Sequence, residues 1–190
     1  MNKTETELVL KNYTAFLKRI DKHIQRVREN YSDKIYCKKG CDSCCRFLNL
    51  FPVEAFALSA AFLKLDKSSQ ATSHLTLPDV IPSELGKKAC PLLINKKCIL
   101  YGARPIICRT HGFPIYIEKD GEPMVDFCPK NFKDVTSFSR DALLSLEHLN
   151  TMLTAINTHF LESIETKNPL PDRIPISQAL PMIERLYPRE

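Results

Sequence analysis

Eight cysteines dominate the chemistry that this 190-residue chain could perform. They form a close-spaced block and a longer one: Cys37-x3-Cys41-x2-Cys44-Cys45, then Cys90-x7-Cys98-x9-Cys108-x19-Cys128. Short spacings let one turn of chain direct several sulfur atoms at one centre, and a structural zinc ion takes four such ligands in a tetrahedron. Iron–sulfur clusters also take four thiolates, commonly with a remote fourth cysteine that precedes a proline. The pattern therefore predicts metal binding by all eight cysteines, with zinc or iron, or a four-iron, four-sulfide cluster, as the cofactor.

The adjacent pair Cys44 and Cys45 limits how the sulfurs can be shared. Neighbouring residues cannot both point at one ion without strain, so we expect the two to serve different sites or one of them not to be a ligand. Eight thiolates could saturate two tetrahedral zinc ions, or hold one four-iron cluster and a second site. Disulfides and small buried apolar cysteines are the alternatives, and a reducing cytosol favours the metal.

Positive charge surrounds the cysteines. Six lysines and arginines and no acidic residue lie between positions 87 and 109, and cations near sulfur stabilise the thiolate form. Arg104 and Arg109 bracket Cys108, and His111 follows it at a ligand-compatible spacing. We expect four residues to support the ligands from outside the metal's own shell: Tyr101, Arg104, Arg109 and His111. A buried ion pair for Arg104 and a purely structural loop role for His111 are the open alternatives.

Composition excludes several classes of protein. Hydrophobic residues make up 44% and charged residues 26% of the chain, which is the range of globular domains. No apolar run approaches the roughly 18 residues that span a bilayer, and the N-terminus lacks the apolar stretch of a signal peptide. The net charge of +5 is too small for a dedicated nucleic-acid binder. These features predict a cytoplasmic protein with a metal ion or cluster as partner and without membrane contact; they disfavour nucleic acid and leave a protein partner unknown.

Helices are predicted on both sides of the cysteines. Apolar residues recur at three- and four-residue steps over 4–30 and 139–167, which indicates two amphipathic helices. A further helix is expected at about 53–65, where Pro52 suits the first turn. Prolines then interrupt the chain before a short last helix that ends near Leu186.

The cysteine-rich middle is predicted to consist mainly of loops. All five glycines and seven of the thirteen prolines lie between Cys37 and Cys128. Two hairpins are expected there, 91–94 with 98–101 and 115–119 with 122–127, the second around the turn residues Asp120-Gly121. The predicted fold class is mainly α with minor β. It is a single domain over 1–190, with a metal-binding core at 37–128 flanked by the helices 4–30 and 139–167.

Two sequence blocks together resemble a known family. The first is the Cys37–Cys45 block, and the second is Cys98-Ile-Leu-Tyr-Gly-Ala-Arg-Pro-Ile-Ile-Cys108-Arg, preceded by Cys90-Pro-Leu-Leu. Over residues 37–115 the chain resembles the bacterial YkgJ-type cysteine-cluster family, described as zinc- or iron-chelating, although its first cysteine gap is three residues where many members have two. It is distantly similar to the cluster region of flagellin lysine methylases, where that region is associated with iron–sulfur binding. The resemblance implies metal chelation and leaves the reaction open.

Three function classes follow from the sequence. The favoured one is a metal-chelating or iron–sulfur protein with a role in redox chemistry or metal handling. The second is an enzyme that depends on the cluster, such as a relative of the protein methylases. The third is a zinc-stabilised module that binds protein or RNA. No nucleophile, base and acid triad is visible, so catalytic residues are not assigned.

Overall fold

The computed structural model describes residues 2–38, 40–66, 88–166 and 168–188. The helices in these ranges are α1 (Lys3–Val9), α2 (Lys11–Asn30), α3 (Pro52–Phe62), α4 (Ile106–Thr110), α5 (Leu146–Ser163), α6 (Ile176–Ala179) and α7 (Met182–Leu186). The strands are β1 (Asn49–Leu50), β2 (Leu93–Ile94), β3 (Lys97–Cys98), β4 (Ile115–Lys119), β5 (Glu122–Asp126), β6 (Leu144–Ser145) and β7 (Ile174–Pro175). The prediction of a mainly helical fold with minor β structure is confirmed.

The predicted N-terminal helix over 4–30 is present as two helices. Leu10 separates α1 from α2 because its backbone leaves the helical region (φ −90°, ψ 1°). Asn2 and Glu5 form a reciprocal capping box that starts α1. The predicted apolar stripe of α2 is its buried face, formed by Tyr13, Phe16, Ile20, Ile24 and Val27.

Helix α3 is buried on nearly all sides, so it lies in the centre of the core. Pro52 occupies its first turn, as expected, and the helix ends at Phe62 rather than at residue 65. Helices α5, α6 and α7 pack against it. Two buried polar side chains fix this packing: the Asn157 amide oxygen accepts from Val53 N, and the Ser59 hydroxyl donates to the carbonyl oxygen of Leu180.

The helix predicted over 139–167 begins later and ends earlier than its periodicity suggests, since α5 is Leu146–Ser163. Residues 140–142 form a 3-10 turn, and β6 pairs with β4 in parallel before α5 begins at Leu146. The backbone N–H of Leu144 donates to the carbonyl oxygen of Pro114, so this stretch bonds to the sheet instead of to its own next turn. Ser145 then caps α5 by accepting from His148 N.

Both predicted hairpins are present. Strands β4 and β5 meet at Asp120 and Gly121, and the shorter strands β2 and β3 meet at Asn95 and Lys96. All four turn residues have positive φ, as a two-residue type I′ turn requires. Among the described residues, none of the helices has the length and apolar character needed to cross a membrane.

Candidate metal centre

The eight thiols lie in two neighbourhoods of four. Burial raises the pKa of Cys37, and the nearby thiolates of Cys41, Cys44 and Cys128 raise it further. We call these four residues the Cys37 group. A small space of about 10 Å³ is lined by the same four cysteines.

The other four thiols interact with one another in the same way. Burial raises the pKa of Cys108, and the thiolates of Cys90, Cys98 and Cys45 add to the effect. We call these four the Cys108 group. Cys44 and Cys45 are in contact through their side chains, yet each belongs to a different group.

All eight cysteines are described, and all are free thiols with partly buried side chains. In the ranges that the structure covers, no set of three or more His, Cys, Asp or Glu side chains is arranged so that it could hold a metal ion as it stands. A four-thiolate zinc site needs its sulfurs at about 2.3 Å from one ion, so each group would have to close around a metal as it binds. The donor set fits zinc or iron in its chemistry and in its number of sulfurs.

Backbone pairing explains why Cys45 lies with the later cysteines. The N–H of Cys90 donates to the carbonyl oxygen of Cys45, next to an antiparallel bridge between Arg46 and Ala89. The β2–β3 hairpin then brings Cys98 back toward Cys90, because Leu93 is the partner of Cys98 in register. These contacts place three of the four thiols of the Cys108 group on one small antiparallel unit.

Glu54 fixes the fourth thiol of that group. Its carboxylate, only 4% exposed, accepts from the backbone N–H of Ile106 at 3.0 Å and from that of Phe51 at 3.2 Å. The first of these bonds holds the start of α4, which carries Cys108, against α3. Burial raises the pKa of Glu54, and the two N–H donors partly offset this. Sequence reasoning missed Glu54, although a glutamate three residues into a helix is a recognisable capping signal.

Asn131 organises the Cys37 group and was also missed. It is fully buried, and its amide oxygen accepts from Tyr36 N at 2.9 Å and from Cys37 N at 3.2 Å. Its amide nitrogen donates to the carbonyl oxygen of Gly112 at 2.9 Å, while its backbone N–H donates to that of Cys128 at 2.8 Å. One side chain therefore ties together the three loops around this group.

Gly112 is required by the same packing. Its φ is +91°, and a Cβ at this position would lie 3.3 Å from Cys128 Cβ and 3.2 Å from Asn131 Nδ2. A glycine gives both the left-handed backbone and the close approach.

Protonation of the thiols also bears on metal binding. Burial raises the pKa of Cys90 to about 12, with neighbouring thiolates adding to the effect of burial. At neutral pH and without metal such a thiol is protonated, so a metal must displace protons when it binds.

The predicted supporting residues act mainly on the backbone around the sulfurs. Arg109 is buried, and its Nη1 donates to both carboxylate oxygens of Asp21 at 2.7 Å. The buried ion pair that was an alternative for Arg104 is therefore formed by Arg109. Its Nε donates to the carbonyl oxygen of Arg104 at 2.7 Å, which fixes the turn before Cys108.

Arg104 lies closer to the thiols. It stacks on the Tyr101 ring at 3.5 Å, and its Nη1 donates to the carbonyl oxygen of Cys108 at 3.4 Å. Burial raises the pKa of Cys98, and the positive charge of Arg104 partly offsets that rise. His111 is exposed just after the end of α4, and it lines a cavity to which most of the cysteines also contribute.

A cavity of about 340 Å³ lies beside the Cys108 group. Every cysteine except Cys128 contributes to its wall. Most of the remaining wall is apolar, and lysines and arginines also line it.

Comparison with protein families gives a match over the cysteine-rich segment. Residues 36–129 match the family model CxxCxxCC, described as a putative zinc- or iron-chelating domain. The matched segment contains all eight cysteines and both thiol groups. No curated protein and no solved structure matches the chain. The resemblance predicted from the cysteine blocks is confirmed over residues 36–129, the segment that matches the CxxCxxCC family model.

Proposed function

We propose that this protein binds two metal centres, one in the Cys37 group and one in the Cys108 group, and acts in metal handling or redox chemistry. The observation that carries the proposal is the placement of two adjacent residues: Cys44 lines a small space with Cys37, Cys41 and Cys128, whereas the backbone of Cys45 is bonded to Cys90 beside the hairpin that carries Cys98. A single four-thiolate centre would leave four of the eight cysteines without a role as ligands. Two sets of four match the coordination number of structural zinc and the thiolate count of iron–sulfur clusters.

The surroundings of the Cys108 group support thiolate ligation. Four thiolates on one divalent zinc ion carry a net charge of minus two. Arg104 can offset part of that negative charge. Its positive charge lowers the pKa of Cys98, and its Nη1 donates to the carbonyl oxygen of Cys108. Metal binding there would release protons, because Cys90 and Cys108 have raised pKa values in the metal-free chain.

An iron–sulfur cluster in the Cys108 group is the second candidate. The cavity of about 340 Å³ beside these thiols leaves room for a centre larger than one ion. Cys37, Cys41 and Cys44 line the same cavity and, together with Cys128, a further space of about 10 Å³, so a cluster in the Cys108 group would lie next to an ion held by the Cys37 group.

Purification without oxygen, followed by quantification of zinc, iron and acid-labile sulfide, tests the proposal. Two zinc ions per colourless chain would support two four-thiolate zinc sites. Brown protein with sulfide in proportion to iron would support the cluster. Zinc added to the chelator-treated chain should be taken up to two equivalents with release of protons. A chain that retains neither metal and takes up neither on addition would overturn the proposal.

A further inference from the structure

The large cavity has walls that metal ligation does not use. A zinc ion lies inside its sulfur tetrahedron at about 2.3 Å from each ligand, so it takes little space outside the thiols. The cavity volume of about 340 Å³ falls within the roughly 300–1,000 Å³ of small-molecule sites. Beyond the cysteines, its floor is formed by Phe47, Leu58, Leu92, Leu100 and Phe113. This floor is buried and apolar, as the binding site of an organic molecule is.

The mouth of the cavity combines exposed apolar and cationic side chains. Ile107 and Tyr101 line it and are 55% and 44% exposed. Lys96 and Lys97 stand side by side at the β2–β3 turn, and the exposed Arg46 lines the same cavity. In the described part of the chain, neither of these lysines takes part in an ion pair.

The charge of the wall exceeds what the metal centres would neutralise. Seven lysines and arginines line the cavity, against one aspartate, Asp21, whose carboxylate is already bonded to Arg109. Two closed four-thiolate zinc sites would together add four negative charges. The lysines and arginines still outnumber the negative charges, so the wall stays positive with both centres filled. A ligand for this cavity should therefore be negatively charged at one end and apolar at the other.

We propose that the cavity binds a small amphipathic organic anion, with its acidic group at Lys96, Lys97 and Arg46 and its apolar part on the buried floor. This proposal rests on the proposed function in one respect: a bound metal would close the part of the cavity wall that the cysteines line. Seven of the eight cysteines line the same cavity, so the ligand would bind next to the metal ligands, on floor and mouth residues that are not cysteines. The ligand class is a carboxylate or phosphate ester with a short hydrocarbon body.

Octanoate titrated into the metal-loaded 190-residue chain by calorimetry tests this proposal. We expect saturable binding of one equivalent, with octan-1-ol binding more weakly because it lacks the charge. The variant Lys96→Asn/Lys97→Gln should weaken octanoate binding about tenfold, since each exposed ion pair contributes up to about 1 kcal/mol. Asparagine is chosen because residue 96 has a φ of +61°, which asparagine tolerates well.

Lys18→Gln/Lys22→Gln is the matched control, because it removes the same charge from the exposed face of α2 outside the cavity. It should leave the octanoate affinity unchanged. Absence of saturable binding, or equal weakening in both double variants, would overturn the proposal. Metal content is measured in the same samples, so failure of the metal centres is recognised separately. If the chain carries no metal, saturable binding that depends on Lys96 and Lys97 still supports the cavity, and its absence still overturns it.

Discussion

Replacing Asn131 by leucine is expected to destabilise the chain and to empty one metal centre selectively. Leucine has as many side-chain heavy atoms as asparagine, but it cannot form hydrogen bonds, and its methyl groups cannot remain at 2.9 Å from Tyr36 N and Gly112 O, so crowding adds to the loss of the bonds. The carbonyl oxygen of Gly112 loses a buried partner, and the N–H groups of Tyr36 and Cys37 lose a half-buried one. A buried group left unpaired costs about 1–3 kcal/mol, and half-buried groups regain water. We therefore expect the free energy of unfolding to fall by about 3 kcal/mol.

The assay combines urea denaturation of the metal-free chain with metal quantification of the purified variant. Asn157→Leu is the matched control. The Asn157 side chain is also buried, and its amide oxygen accepts a buried hydrogen bond from the backbone N–H of Val53 in the core helix α3. The control should lose about 1–3 kcal/mol of stability and keep both metal centres. Asn131→Leu should keep the metal of the Cys108 group and lose that of the Cys37 group. Full metal content in Asn131→Leu, with unchanged affinity, would refute the role of this side chain in positioning the loops.

Three further substitutions test the surroundings of the thiols. Gly112→Ala should destabilise the chain more than Gly121→Ala in urea denaturation, because both glycines have positive φ but only the first would place a Cβ against Cys128; equal losses would contradict this crowding. Burial raises the pKa of Glu54, so the folded state keeps this proton to a higher pH than the unfolded state does. The free energy of unfolding should therefore decline as pH rises from the ordinary pKa of 4.5 through the raised pKa. Glu54→Gln should remove that decline, and parallel pH profiles would show the account of this group to be wrong. Arg109→Lys should cost about 2 kcal/mol of unfolding free energy, because lysine cannot reproduce the bidentate ion pair and the backbone bonds together; a variant as stable as the unchanged chain would contradict this.

Local features of this fold could be predicted from the sequence. The β4–β5 turn depends on two adjacent residues, Asp120 and Gly121, whose backbone preferences are independent of the rest of the chain. The buried face of α2 follows from a repeat of three and four residues. That Cys44 and Cys45 serve different sites, or that one of them is not a ligand, stays a prediction; apart from each other, the two thiols have different neighbours, Cys41 for Cys44 and Cys98 for Cys45.

Features that depend on distant contacts could not be predicted. Asn131 bonds to residues 94 and 95 positions earlier in the chain, and Glu54 bonds to a residue 52 positions later. No local pattern carries that information. The start of α5 was misplaced for the same reason, because pairing of Leu144 and Ser145 with β4 competes with the helical tendency of residues 139–145.

The assignment of ligands to two centres is tested most directly by metal quantification in Cys44→Ser, Cys45→Ser and two double variants. Each single variant should lose one centre and retain the other. Cys44→Ser/Cys128→Ser should lose no more metal than Cys44→Ser alone, because both residues belong to the Cys37 group. Cys44→Ser/Cys108→Ser should lose both centres. Loss of the same metal from Cys44→Ser and Cys45→Ser, or loss of both centres from the Cys44/Cys128 double variant, would contradict the division of the eight thiols into two metal sites.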